Sequence, residues 1–167
     1  MNVGASAPEQ AGLYFSWGNT QGHTPGEGYD FSSEDYVGTP GASLNEDLPL
    51  ANDAAHIYMG GPWRTPTTKE ILELFNNAYT TNEWVTNYQG SGINGIVVTS
   101  KANGSKLFFP AAGAFDEGFA DYGSYGNYWS SSVIDEGSAN YLIFSSENVY
   151  PDNDSERYCG LSVRAVQ

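Results

Sequence analysis

Apolar and polar positions change rhythm twice along this chain, and each change marks a change of predicted element. Leu13-Tyr14-Phe15 with Trp17 is an apolar island short enough for one strand. Gly, Pro, Ser, Asn and acidic residues then dominate from Gly18 to Pro49, which predicts a long loop. A loop of that length is uncommon in a compact domain unless it serves a function or is held down by its own side chains, here Tyr29, Phe31 and Tyr36.

A helical rhythm comes next. Asn52 stands as an N-cap before Asp53-Ala54-Ala55-His56-Ile57-Tyr58-Met59, and Gly60-Gly61 supplies the stop. Thr67-Thr68-Lys69-Glu70 has capping-box spacing, and Ile71, Leu72, Leu74, Phe75, Ala78 and Tyr79 recur at helical intervals after it. Two helices are therefore predicted. From Ile93 the pattern turns extended: Ile96-Val97-Val98-Thr99, the turn pair Asn103-Gly104 and Leu107-Phe108-Phe109 predict a β-hairpin.

Ser124 to Trp129 predicts a Gly-punctuated aromatic turn leading into another strand, and Tyr141 to Phe144 and Leu161 to Val166 predict the last strands. Side chains alternate across a strand, so Leu142 and Phe144 share one face, while Tyr141, Ile143 and Ser145 share the other. Strands with a few helices and no βαβ alternation predict an α+β fold.

Composition narrows the function classes. A chain of 167 residues with 40% hydrophobic content suits one domain with one sizeable core. Twenty acids against six bases give a net charge of -14, which argues against nucleic-acid binding. The acids fall as singles and pairs, such as Glu34-Asp35, Glu46-Asp47 and Asp135-Glu136, the pattern of a solvated surface. One cysteine makes no internal disulfide, and no membrane-length apolar run or leader-like segment appears, so direct membrane insertion is not expected. Twelve Tyr, eight Phe, four Trp and 20 Gly favour short strands and ordered loops.

Candidate chemistry is sparse. Asp152-x-Asp154-x-Glu156 imitates the start of an EF-hand loop, but Arg157 stands where the loop needs Gly and Val163 where it needs Glu, so no metal is expected. The histidines, His23 and His56, have no nucleophile and base arrangement around them, and no carboxylate pair stands out for glycoside hydrolysis. Neither catalytic residues nor a cofactor are expected. Arg64 and Arg164 lie beside apolar neighbours and are expected to satisfy buried carbonyls or an acid such as Asp53. Trp17, Trp63, Trp84 and Trp129 read as core, whereas Tyr125, Tyr128, Tyr141, Tyr150 and Tyr158 divide between core and contact residues.

The strings NVGASAPEQAGLYFSWGN, DAAHIYMGGPWRTPTTKEILEL, NGSKLFFPAAG, YGNYWSSS and ANYLIFSSENVYP with RYCGLSVRAV, in this order, resemble the Fibrobacter-succinogenes-type major paralogous domain of gut Bacteroidetes and their phages. The resemblance spans almost the whole chain. It implies a C-type-lectin-like fold with two helices, short antiparallel strands and long ordered loops, as one domain over 1–167. Because the chain enters the pattern at NVGA, partway through the first conserved block, further sequence is expected upstream. Some members resemble variable proteins of diversity-generating retroelements, in which adenine-directed mutagenesis rewrites a ligand-binding C-terminal segment.

That resemblance implies a non-enzymatic recognition domain on a phage tail tip or bacterial surface, outside the cell, with a cell-surface protein or glycan as ligand. A tail-fibre setting would add self-association with copies of the chain. The alternative is a surface adhesin or structural domain of the same fold without programmed variation. An adenine-rich Asn codon can mutate into the residue types found at Ile143, Ser145, Asn148, Tyr150, Asp152, Asn153, Asp154, Tyr158, Cys159 and Leu161, but not, by substitution, into Glu147 or Glu156. These ten, with Tyr141 on the free face of the same strand, are the eleven candidate ligand-binding residues, with Trp129, Leu142, Phe144, Val149, Arg157, Gly160, Val163 and Arg164 as framework. They are expected to lie exposed on one side of the fold, on the free face of a strand and on a turn running from Tyr150 to Cys159.

Overall fold

A computed structural model describes residues 1–35 and 48–167. Tyr36, expected to pin the long loop, and the Glu46-Asp47 pair lie outside the described residues. Within them the chain is a mixed α+β structure with two α-helices and mostly antiparallel strands.

The first helix, α1 (Ala54–Met59), begins one residue later than the sequence predicts, because Asp53 rather than Asn52 caps it. The buried Asp53 carboxylate accepts from the Ala55 and His56 amides and also from the Thr65 amide at 2.8 Å and hydroxyl at 2.7 Å. One side chain thus starts the helix and fixes the strand-like segment after it. Gly60 ends α1 with φ at 66°, a conformation that favours glycine.

The second helix, α2 (Thr68–Leu74), opens on the predicted capping box between Thr67 and Glu70. It stops at Phe75, so Ala78 and Tyr79 fall beyond it. There Thr80 donates its hydroxyl to the Leu74 carbonyl at 2.6 Å and starts an unforeseen strand. That strand, β2 (Thr80–Val85), pairs with β3 (Gly95–Ser100), which pairs in turn with β4 (Lys106–Pro110) across the predicted Asn103-Gly104 turn. The result is a three-stranded antiparallel sheet.

The principal sheet has five strands in the order β1 (Tyr14–Phe15), β10 (Leu161–Ser162), β7 (Gly126–Val133), β8 (Ser138–Phe144) and β9 (Val149–Glu156). The first and last strands pair antiparallel, and β10 runs parallel to β7. A small ribbon, β5 (Ala114–Phe115) with β6 (Phe119–Ala120), lies in the connection before β7.

Strand alternation builds two cores, one on each side of this sheet. Phe15, Trp17, Trp129, Ala139 and Leu161 meet α1 on one side. Tyr14, Tyr128, Leu142 and Phe144 meet Ile71 of α2 and its C-cap Phe75, with Ile96, Val98 and Phe109 of the three-stranded sheet, on the other. Indole and phenol groups in these cores reach carbonyls: Trp17 donates to Ser130, Trp129 to Phe15 and Tyr128 to Pro110. In the long loop, His23 stacks on Tyr29 at 3.5 Å between ring centroids and meets Phe31 edge-on, so Tyr29 and Phe31 do hold it down.

Candidate functional site

The polar stretch after Asn148 forms a strand. Residues Val149–Glu156 are β9, the edge of the principal sheet, and the turn begins only at Arg157. Sequence reading missed it because Pro151 and a run of Asx residues depress strand propensity. An edge strand tolerates both.

The register explains how Pro151 is accommodated. Tyr141 pairs with Asn153 and Ile143 with Tyr150, so the register shifts between them and Pro151 and Asp152 together oppose Leu142. This is a β-bulge, where a missing amide donor does no harm. The bulge also keeps Tyr150 and Asn153, three residues apart, on the face of Tyr141 and Ile143. Asn153 Nδ2 donates to the Tyr141 hydroxyl at 3.0 Å across the pair.

The eleven candidates therefore divide into groups. Tyr141, Ile143, Tyr150 and Asn153 form one face of the β8–β9 hairpin, with Tyr150 55% exposed and Tyr141 and Ile143 half-buried. The core on that side ends at Tyr141 and Tyr158, which pack against it. Asp154 pairs with Asn140 and so shares the opposite face with Leu142. Ser145 and Asn148 close the hairpin tip and line a groove of about 400 Å³ against Asn82 and Trp84 of β2. Asp152 is exposed in the bulge.

Cys159 and Leu161 do not belong to any surface. Each is 2% exposed in the core beneath Trp129 and Ala139, because the chain turns inward after Glu156 to place β10 between β1 and β7. The expectation of one continuous exposed patch containing Leu161, and of an exposed thiol at Cys159, is thus corrected. Burial pushes the Cys159 thiol up to about 11, so at neutral pH it is protonated and unreactive.

Burial also raises the Tyr141 and Tyr158 phenols above their ordinary range, with Glu156 adding to the effect at Tyr158 and Asp116 contributing at both. Both rings stay neutral at physiological pH and offer an apolar face with a polar tip. Asp116 and Glu117, from the β5–β6 ribbon turn, were not foreseen as neighbours, and nothing in the local sequence marks them as such. The six cations lie elsewhere. Arg64 pairs with Glu70, Lys69 is on α2, Lys101 donates to the Asn77 carbonyl, Lys106 is in β4, Arg164 lies over Phe109, and Arg157 is buried against Trp17.

Arg64 meets a carbonyl and an acid as expected, donating to the Thr65 carbonyl and to Glu70, while Arg164 donates to the Asn2 side-chain oxygen; neither uses Asp53, which is occupied by Thr65 and α1. Among the described residues no group of three or more His, Cys, Asp or Glu side chains could hold a metal ion, and no helix is long and apolar enough to cross a membrane. Comparison of the chain with known protein families, with curated proteins and with solved structures finds no match.

Proposed function

We propose that the chain is a C-type-lectin-like recognition domain of the Fibrobacter-succinogenes type, which binds a cell-surface protein or glycan outside the cell through its β8–β9 hairpin. The fold reading is supported by two helices on opposite sides of a small sheet, by pairing of the first and last strands, and by the packing of His23, Tyr29 and Phe31 in the connection after β1. The observation that carries the functional reading is the exposed edge strand β9, held in register by β8 yet carrying side chains that the core does not need. Tyr141, Tyr150 and Tyr158 beside Ile143 and Asn153 mix rigid amphipathic rings with short adaptable groups. That mixture gives contact area at low entropic cost.

Whether this surface is diversified has evidence on both sides. Exposure of Tyr150, Asp152, Asn153 and Asp154 favours a retroelement variable protein on a phage tail tip or bacterial surface. Core positions for Cys159 and Leu161 favour the second reading, a fixed adhesin of the same fold, at those two sites. A reverse transcriptase gene with a near-identical template repeat beside the coding sequence would decide for the first.

The binding test is flow cytometry of the fluorescent domain on a panel of gut bacteria. Replacing Tyr141, Ile143, Tyr150 and Asn153 by Ala should reduce binding about tenfold or more, as expected when aromatic anchors are lost. Replacing Lys101 and Lys106, in the hairpin of the three-stranded sheet, should not. Equal binding by both variants would remove the assignment to this face.

A further inference from the structure

The outer strands of the two larger sheets are guarded unequally. A free edge strand presents unpaired N–H and C=O groups, which proteins blunt with proline, a bulge, lysine or sheer shortness. In the principal sheet β1 has two residues, and β9 carries Pro151 in its bulge. In the three-stranded sheet β4 opens on Lys106 and closes on Pro110. The fourth edge, β2, lacks all of these devices. Its sequence TTNEWV pairs with β3 over six residues without a break, and Thr81, Asn82 and Glu83 are exposed.

The register shows which groups point outward. Opposite residues in an antiparallel pair alternate between exchanging hydrogen bonds and turning away from each other. Lys101 donates its amide to the Tyr79 carbonyl at the end of the β2–β3 ladder, whereas Ser100 donates to Ser105 on the β4 side. Thr81, Glu83 and Val85 therefore bond to β3, and Thr80, Asn82 and Trp84 turn their N–H and C=O groups outward. The Thr80 amide donates to the Asn76 carbonyl at 3.1 Å, and no other segment among the described residues pairs with Asn82 or Trp84.

The side chains of Asn82 and Trp84 share one face of β2 and line the groove of about 400 Å³ opposite the hairpin tip. In that lining only Glu147, from the tip, is charged; it is exposed, and no cation among the described residues pairs with it. A free backbone edge beside an acidic groove, on a chain of net charge -14, matches an extended segment with cationic side chains. A second copy of the chain matches poorly. Self-pairing that joins Asn82 to Trp84 in both directions sets Glu83 directly opposite its own copy, where like charges destabilise the pair.

We propose that β2 is a docking edge for an extended, Lys- or Arg-bearing segment of a partner protein. The segment adds as a fourth strand, bonded through its backbone to Asn82 and Trp84, with a cationic side chain turned to the Glu147 side of the groove. The site adjoins the hairpin tip but not the face of Tyr141 and Tyr150, and it does not rest on the recognition reading of that face.

Fluorescence anisotropy of a labelled, capped peptide of alternating Lys and Val, titrated with the full chain, tests the proposal. Saturable binding is expected. The same peptide N-methylated throughout keeps its charge but has no amide donors, and should bind about tenfold or more weakly. Asn82→Pro removes an outward N–H, a change that an edge strand tolerates where the amide faces solvent. It should weaken the Lys peptide about tenfold while the thermal midpoint stays close to the parent's. Glu147→Lys, at an exposed position, should also weaken it. Absence of saturable binding, equal binding by the N-methylated peptide, or unchanged affinity in a folded Asn82→Pro would each overturn the proposal. So would a concentration-dependent dimer in sedimentation velocity that Asn82→Pro abolishes, since the edge would then belong to a second copy. Should Asn82→Pro fail to fold, the N-methylated peptide and Glu147→Lys decide the matter.

Discussion

Strands β7 and β9 are each eight residues long, and both pair with β8, yet they answer to opposite demands. In β7, GNYWSSSV, seven of eight positions are buried, because strands flank it on both sides and a core covers each face. In β9, VYPDNDSE, none is fully buried. Its ladder to β8 supplies the order, and beyond Val149, which packs against the second core, most of its side chains are released from packing. Side chains can therefore change along most of β9 while β7 keeps the fold, which separates surface variation from stability within one sheet.

The largest test of that separation is Trp129→Ala in β7. The indole is 1% exposed and its Nε1 donates to the Phe15 carbonyl at 2.7 Å. Truncation should cost about 3–5 kcal/mol in chemical denaturation, from lost burial, a cavity and an orphaned carbonyl. A loss below about 1 kcal/mol would deny β7 its role as the framework strand.

A single methyl group should also register in β7. A Cβ on Gly126 would stand 2.1 Å from the Phe144 ring, far inside contact distance, so Gly126→Ala should cost about 1–3 kcal/mol by overpacking. Thermal melts of this variant beside single alanine changes at Tyr150 or Asn153 sharpen the contrast.

Smaller and dependent on pH is the link that fastens α2 over the second core. Hydrogen bonds from Arg64 above all, with further contacts from Thr67, hold the Glu70 carboxyl at about 2, below its ordinary 4.5. A carboxyl with a depressed folded-state value stabilises fully above the unfolded value and loses that contribution as pH falls through the folded one. The stability gap between the parent and Glu70→Gln should therefore be constant above about pH 4.5 and close as pH approaches 2. Glu70 is partly exposed, so solvent screening keeps the effect small. A gap that widens in acid would refute the assignment.

The smallest effect is expected on β9. Replacing Tyr150, Asp152, Asn153 and Asp154 together should leave the thermal midpoint nearly unchanged, with each change within about 0.5 kcal/mol. A cooperative loss comparable to that of Trp129→Ala would erase the distinction between the two strands.

Local signals were legible where the chemistry is local. The capping box at Thr67 and Glu70, the Asn103-Gly104 hairpin and the alternation that buries Leu142 and Phe144 involve residues a few positions apart, whose contacts depend on backbone geometry alone. The α+β class rests on them. The sequence could not disclose that β9 is a strand, because its propensity is poor and only pairing with β8 makes it one. Nor could it disclose the bulge at Pro151 that brings Tyr150 and Asn153 onto the face of Tyr141.

The fates of Cys159 and Leu161 were likewise decided by tertiary structure. Their residue types suit a variable surface as well as a core, and the insertion of β10 between β1 and β7, strands more than a hundred residues apart in the chain, is the cause of their burial. Sequence determined which segments could be extended, helical or turning. Long-range pairing decided which strand lies at the edge, and an edge strand is half-solvated by geometry, whatever residues it carries.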